Sequence, residues 1–287
     1  MHINECFTEY LHYIEVTMSE GTHRFNSNHI RTIITDLHQI GVKRTNDVSR
    51  KTLYELYDLW KSRGVTESTI EKRFGIIKRT LRYSGINRHG VVDFPPIRFK
   101  RKGIKTVPRE DLIKLIRYFH EKPKTPKGTT RYLIFFMLFY TGVRVNELVH
   151  IEINNIDFEN GSIVLDMTKT GKSRTVFYDL SLNERLLEYV KMEPRRKYLF
   201  WNYSTNKPYS AQNTEALLRY ACKMLGIRRE SPHKFRHTFA TMMIDNGCPL
   251  VGLQLLLGHS RPEQTEQYLH LGNSYLKRHF DEFKPKL

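Results

Sequence analysis

Apolar positions recur at helical spacing through the first third of the chain. They do so in CFTEYLHYIEV, in HIRTIITDLHQI and in LYELYDLW, where an i, i+3/i+4 repeat marks one buried face of a helix. A fourth helix is predicted over TESTIEKRFGIIKRTLRYSGI, opening on Thr66 or Ser68 ahead of acidic residues in a capping-box pattern. Gly41, Gly64 and Gly85 fall where C-caps belong. The pattern predicts a small bundle of four helices over residues 1–95, broken by the Pro95-Pro96 pair. Helical spacing resumes at PREDLIKLIRYFHEK, with Pro108 in a favoured first-turn position. The apolar run YLIFFMLFY (132–140) reads as a helix buried on most sides, ending at Thr141-Gly142. Two β-branched and aromatic runs, GSIVLDM (161–167) and RTVFY (174–178), flank TKTGKS and predict a hairpin. Helices return over 182–190, 211–225, 233–245, 250–257, 262–269 and 275–283. The expected fold is mainly α with a small β-sheet. It has a helical bundle over 1–95, a connecting stretch over 96–107 and a mixed α/β domain over 108–287.

Charge changes this picture. The 287 residues hold 47 Lys+Arg against 30 Asp+Glu, a formal net charge of +17. That excess points to a polyanion, with nucleic acid ahead of an anionic membrane surface. It is unevenly spread. Residues 1–95 carry 14 basic and 11 acidic residues, residues 96–130 carry 11 and 3, and residues 131–287 carry 22 and 16. The densest stretch, RFKRKGIK, places Arg98, Lys100, Arg101, Lys102 and Lys105 in the connecting segment. Two readings stand: a solvated linker, or a linker lying along a phosphate backbone and releasing counterions. Likewise Lys72, Arg73, Lys78, Arg79 and Arg82 of the fourth helix form either a groove-facing stripe or a solvated face.

Several classes drop out. Three cysteines, Cys6, Cys222 and Cys248, with no CxxC spacing, argue against a disulfide framework and a zinc ribbon and for a reducing compartment. The nine-residue apolar run is about half of a bilayer span, and MHINECFTEY holds no apolar signal region. A cytoplasmic location is expected. His233 and His237 stand four apart, but no HExxH and no completing carboxylate accompany them, so no metal is expected. TGKS lacks the first glycine of a nucleotide-binding loop, since Asp166 stands there.

Five stretches gather phosphate-handling residues: TGVRVNEL (141–148), TKTGKSR (168–174), HKFRHTFAT (233–241), LLGHS (256–260) and TEQYLH (265–270). Singly each has a bland reading. Arg144 could pair with Glu147 on one helix face, Lys169 could be a solvated turn lysine, and His259 could cap a helix. Together they resemble the tyrosine recombinase (phage integrase) family, in particular its simple Xer-like members. The family's first box, TG-x-R-x-x-E-L, its second, H-x-x-R-H-T-x-A-T, then L-G-H-S and a tyrosine in T-x-x-Y-x-H all occur in order. The distances from Arg144 to Lys169, Arg236 to His259 and His259 to Tyr268 are 25, 23 and 9 residues.

The resemblance implies a SAM-like core-binding domain, a basic linker and a mixed α/β catalytic domain. It assigns Tyr268 as nucleophile, forming a 3′-phosphotyrosyl link that preserves bond energy, so that no cofactor is required. Arg144 and Arg236 would clamp the non-bridging oxygens, and Lys169 would protonate the leaving 5′-hydroxyl, with Lys172 as the alternative; Arg174 is a further cation of the same turn. His233 would act as base or phosphate ligand and His259 as a phosphate donor, with Glu147 supporting the site. His237 is expected to pack or cap. The implied partners are double-stranded DNA with a specific core site and further copies of the chain in a tetramer, joined through the helix over 275–283. That helix could equally pack on its own domain. Accessory proteins or a related recombinase remain possible partners, and no membrane is expected. Type IB topoisomerase-like relaxation and a non-catalytic DNA-binding protein are the competing readings.

Overall fold

The computed structural model describes residues 1–86, 91, 103–166 and 173–268. The chain divides into two compact units, Met1–Lys102 and Gly103–Leu287. Most of the basic stretch 96–107, including Arg98, Lys100, Arg101 and Lys102, lies outside the described residues, as do Lys169, Lys172 and the helix expected over 275–283.

Four helices make up the bundle formed by residues 1–86: α1 (Ile3–Thr17), α2 (Glu20–Gln39), α3 (Arg50–Ser62) and α4 (Glu67–Tyr83). Their buried faces follow the repeat in the sequence: Ile3, Phe7, Tyr10 and Ile14 on α1, then Ile70, Phe74, Ile77 and Leu81 on α4. Ser19 and Ser49 accept from the backbone N–H of Thr22 and Thr52, satisfying first-turn donors. Thr66 caps α4, but its side chain makes no capping bond; its hydroxyl pairs with Thr69 instead, so the expected capping box does not form. Gly41, Gly64 and Gly85 follow helices α2, α3 and α4 at φ of 83°, 72° and 73°. There a Cβ is unfavourable.

One charge is buried in this bundle. Asp36 accepts from Trp60 Nε1 at 2.6 Å and from Arg63 Nη1 at 2.6 Å. Arg73 lies over the Trp60 ring, 4.0 Å from the same carboxylate. This corrects the expected stripe: the Arg73 guanidinium is committed to the bundle interior, since helical geometry turns it away from its exposed neighbour Lys72. Lys72 stands 6.0 Å from the Phe25 ring, and Arg79 Nε donates to Tyr10 Oη at 3.3 Å. Lys78 is half-buried.

The second unit is built around one buried helix. Helix α5 (Arg109–His120) starts one residue after Pro108, which is its N-cap. Helix α6 (Pro126–Thr141) buries seven successive side chains from Tyr132 to Leu138, packing against α5 and the later helices. It ends at Gly142 in the left-handed conformation, φ 59°. A short helix, α7 (Val145–Val149), follows. Then comes an antiparallel sheet in order β1-β2-β3, from Ile156–Asp157, Ser162–Leu165 and Arg174–Phe177. Ile163 pairs with Val176 and Leu165 with Arg174, so these four share the inner face. Strand β1 was not expected. Helix α8 (Asn183–Met192) leads to a two-residue hairpin, β4 (Trp201–Asn202) with β5 (Lys207–Pro208). The chain then forms α9 (Ala211–Met224), α10 (Pro232–Asp245), α11 (Leu250–Leu257) and the single turn α12 (Glu263–Glu266).

The end of the connecting stretch belongs to this unit. Ile104 packs beside Ala240, Ile244, Leu253, Leu257 and Tyr268. The Val107 backbone N–H donates to Thr238 Oγ1 at 2.8 Å, and Lys105 is exposed between them.

Candidate active site

Four segments of the second unit bring titratable side chains together. The first is the turn between α6 and α7. Arg144 is the N-cap of α7, and its backbone N–H donates to Glu147 Oε2 at 2.8 Å. Its Nη1 donates to Glu147 Oε1, also at 2.8 Å. Glu147 is buried and takes a second partner, Arg174 Nη2, at 2.7 Å. Burial pushes the Glu147 carboxyl up, but Arg174 and the bonds from Arg144 together hold it below its usual range.

The second segment is α10. Arg236 is 3% exposed, and both terminal nitrogens are bonded: Nη1 donates to Gly142 O at 2.9 Å and Nη2 to Leu257 O at 2.6 Å. Burial, then the nearby charges of Arg144 and Arg174, lower its pKa to about 9. His233, one turn before His237, is exposed, and its ring lies 4.3 Å from that of His237. The third segment is the end of α11. Gly258 takes the left-handed conformation, φ 63°, and releases His259 toward the arginines. His259 Nδ1 bonds Thr265 Oγ1 at 2.8 Å.

The fourth is α12, which ends two residues before Tyr268. This ring is 1% exposed, packed with Ala240, Ile244, Leu253 and Leu257. Its hydroxyl lies 2.8 Å from His237 Nδ1, and its ring is parallel to that of His259 at a centroid distance of 6.5 Å. Burial raises its pKa, opposed by Arg236 and Arg144. Burial and neighbouring cationic groups lower His237 and His259 to about 4 each, and lower His233. All three imidazoles are therefore neutral at pH 7, able to accept a proton or donate a hydrogen bond.

The structure thus gathers Arg144, Glu147, His233, Arg236, His259 and Tyr268, which are spread over 125 residues of sequence. Lys169 lies outside the described residues. Two contacts were not anticipated. His237, expected only to pack or cap, holds the tyrosine hydroxyl, while His233, expected as its base, has no contact with it among the bonds described. Arg174, considered only as a turn cation, is buried on the Glu147 carboxylate. Among the described residues no group of three or more His, Cys, Asp or Glu could hold a metal ion, and no helix is long and apolar enough to cross a membrane.

The chain is similar to known proteins over most of its length. The phage integrase family matches residues 105–274. A probable integrase/recombinase of Acholeplasma phage L2 is 26% identical over 99% of this chain and 97% of its own length. Tyrosine recombinase XerC of Lactobacillus leichmannii is 29% identical over 84% of each chain. Among solved structures, the Tn1549 transposon integrase in complex with transposon right end DNA superposes with a TM-score of 0.82 at 16% identity, covering 99% of this chain and all of that one. The family match over more than half of the chain defines a DNA breaking-and-rejoining enzyme. The chain belongs to the phage integrase family, the tyrosine-type site-specific DNA recombinases.

Proposed function

We propose that this enzyme cleaves and rejoins double-stranded DNA at a specific core site, with Tyr268 attacking the scissile phosphorus and forming a 3′-phosphotyrosyl intermediate. The observation that carries the reading is the convergence of Tyr268, two arginines and three neutral histidines on one cluster. A phosphodiester is an anion and repels nucleophiles. Arg144 and Arg236 stabilise the charge that builds up on its non-bridging oxygens, and the planar fork of arginine suits that task better than lysine. The tyrosine proton passes to an imidazole: His237 is in hydrogen-bonding contact, and His233 stands next to it. His259 donates a hydrogen bond to phosphate. Lys169 protonates the leaving 5′-oxygen. The displaced ester energy stays in the phosphotyrosyl bond, so rejoining needs no nucleotide and no cofactor.

The basic stretch with Arg98, Lys100, Arg101, Lys102 and Lys105, and the exposed side of α4 with Lys72 and Arg79, flanked by Lys78, supply sequence-independent phosphate contacts. The first unit serves as the core-binding domain. Assembly of further copies on DNA through residues 275–283 completes the reading, with the reaction taking place in the cytoplasm. The relatives' names, a probable integrase/recombinase of a phage and a tyrosine recombinase XerC, support strand exchange over relaxation alone.

The test is incubation with nicked suicide DNA carrying the site, in EDTA. A covalent adduct forms with the full chain and is absent in Tyr268→Phe. An adduct in that variant, or none with the unmodified enzyme on its own site, overturns the assignment. Exchange between two site-bearing plasmids separates recombination from topoisomerase-like relaxation.

A further inference from the structure

A helix leaves its last carbonyl oxygens without intrahelical partners. At the end of α11 three arginines take three successive ones. Leu256 O accepts from Arg174 Nη1, Leu257 O from Arg236 Nη2 at 2.6 Å, and Gly258 O from Arg144 Nη2 at 3.5 Å. His259 comes next in the chain. Two of these arginines form the proposed phosphate clamp. Arg174 has no part in the reaction as derived so far.

Strand register explains how Arg174 comes to be there. It pairs with Leu165, on the inner face shared with Ile163 and Val176. Its side chain is 9% exposed. One end of the guanidinium holds the Leu256 carbonyl and the other holds Glu147 Oε2 at 2.7 Å. The other carboxylate oxygen, Oε1, accepts from Arg144 Nη1 at 2.8 Å. A continuous chain of charged contacts therefore runs Arg174–Glu147–Arg144. Gly258 closes over it: a Cβ there would fall on Arg174 Cδ and within 2.7 Å of Nε. A lysine could not span the two acceptors, because a single ammonium head lacks the planar fork.

We propose that Arg174 is a positioning residue for strand cleavage: it anchors Glu147 to the end of α11, and through Glu147 it fixes the Arg144 guanidinium at the scissile phosphate. This rests on the recombinase reading. In free enzyme Glu147 meets two guanidiniums at once, which satisfies a buried carboxylate and holds Arg144 Nη1 at 2.8 Å. Without Arg174 the carboxylate is half-paired and free to turn, and Arg144 turns with it.

The test is single-turnover cleavage of the nicked suicide DNA by the full chain at saturating DNA. Adduct formation by the unmodified enzyme comes first; its failure counts against Tyr268 and the recombinase reading, not against Arg174. Given an adduct, Arg174→Met is expected to lower the cleavage rate constant by about tenfold or more. Affinity for the site stays within about twofold and the final adduct yield is retained, because Arg174 does not contact DNA. In a Glu147→Gln background, already slow, the same substitution costs less than about threefold, since the path is cut at its middle. Should Arg174→Met not fold, Arg174→Lys, which keeps the charge beside Glu147 but cannot reach both acceptors, takes its place in the cycle with the same expected pattern. An unchanged rate constant, equal losses in the two backgrounds, or a lower yield at an unchanged rate constant overturns the proposal.

Discussion

The hydroxyl of Tyr268 lies 2.8 Å from Nδ1 of His237, a residue 31 positions earlier on α10. The imidazole is neutral at pH 7, its pKa lowered to about 4 by burial, then by His233 and Arg236. Its Nδ1 is thus free to accept the phenolic proton. His237→Leu is expected to slow single-turnover cleavage by about 10²-fold with site affinity unchanged. His237→Gln, which retains an acceptor at similar reach, recovers part of the loss. Faster cleavage in His237→Leu would mean that the bond only restrains the tyrosine.

Arg236 tests the clamp. Its guanidinium is held by two carbonyls on opposite sides, Gly142 O and Leu257 O. Arg236→Lys leaves one of these buried acceptors empty and removes the fork. Cleavage is expected to fall by about 10²–10³-fold, while filter-binding affinity for the site changes little. Equal losses in cleavage and binding would place Arg236 in general DNA affinity instead.

Stability should depend on pH in a definite window. His237 and His259 sit at about 4 in the folded enzyme, against 6.5 for an unconstrained imidazole. Between these values the unfolded chain binds more protons, so stability rises with pH there. It is fully present above about pH 6.5, and falls as pH drops toward 4. Allowing for partial exposure, the loss is on the order of 1–3 kcal/mol for the pair. Glu147, whose carboxyl lies below its usual range, adds a further loss only at lower pH. Urea midpoints at pH 7.5 and 5 in the wild type and in His259→Asn measure it: the variant should show a shallower slope.

Much of this architecture is legible from residue order alone, and the exceptions have physical causes. The buried helix α6 announces itself through its apolar run, and Gly142 marks its end. The same glycine serves the site twice, since its carbonyl accepts from Arg236 and a Cβ there would fall on Phe239. Strands β1, β4 and β5 have two residues each, too few for a period-2 pattern to register. Helix α12 is one turn where the apolar spacing suggested eight residues, because Tyr268 turns in to join the α10–α11 core. The bond from His237 to Tyr268 is a tertiary contact and has no local signature. Arg174 did have one: alternation in RTVF puts it on the same face as Val176, so an inward arginine was readable once that valine was taken as core.

Binding should depend steeply on salt. Lys105 is exposed at the start of the second unit, close in sequence to four further cations at 98–102. If these contact phosphates, log Kd against log salt is steep, and replacing Lys105 with Gln lowers the slope by about one without altering the cleavage rate at saturation. A slope near zero in the full chain would remove the basic stretch from the interface.

With Tyr268 as the proposed nucleophile, its packing bears on whose phosphate it would attack. The ring is enclosed by Ala240, Ile244, Leu253 and Leu257 of its own chain, and it lies only nine positions after His259, which Thr265 ties down in between. On the proposed reading the tyrosine and the arginines belong to one packed unit, and each copy is expected to act in cis. Mixing Tyr268→Phe chains with Arg236→Ala chains should restore no adduct, whatever the stoichiometry of the assembly.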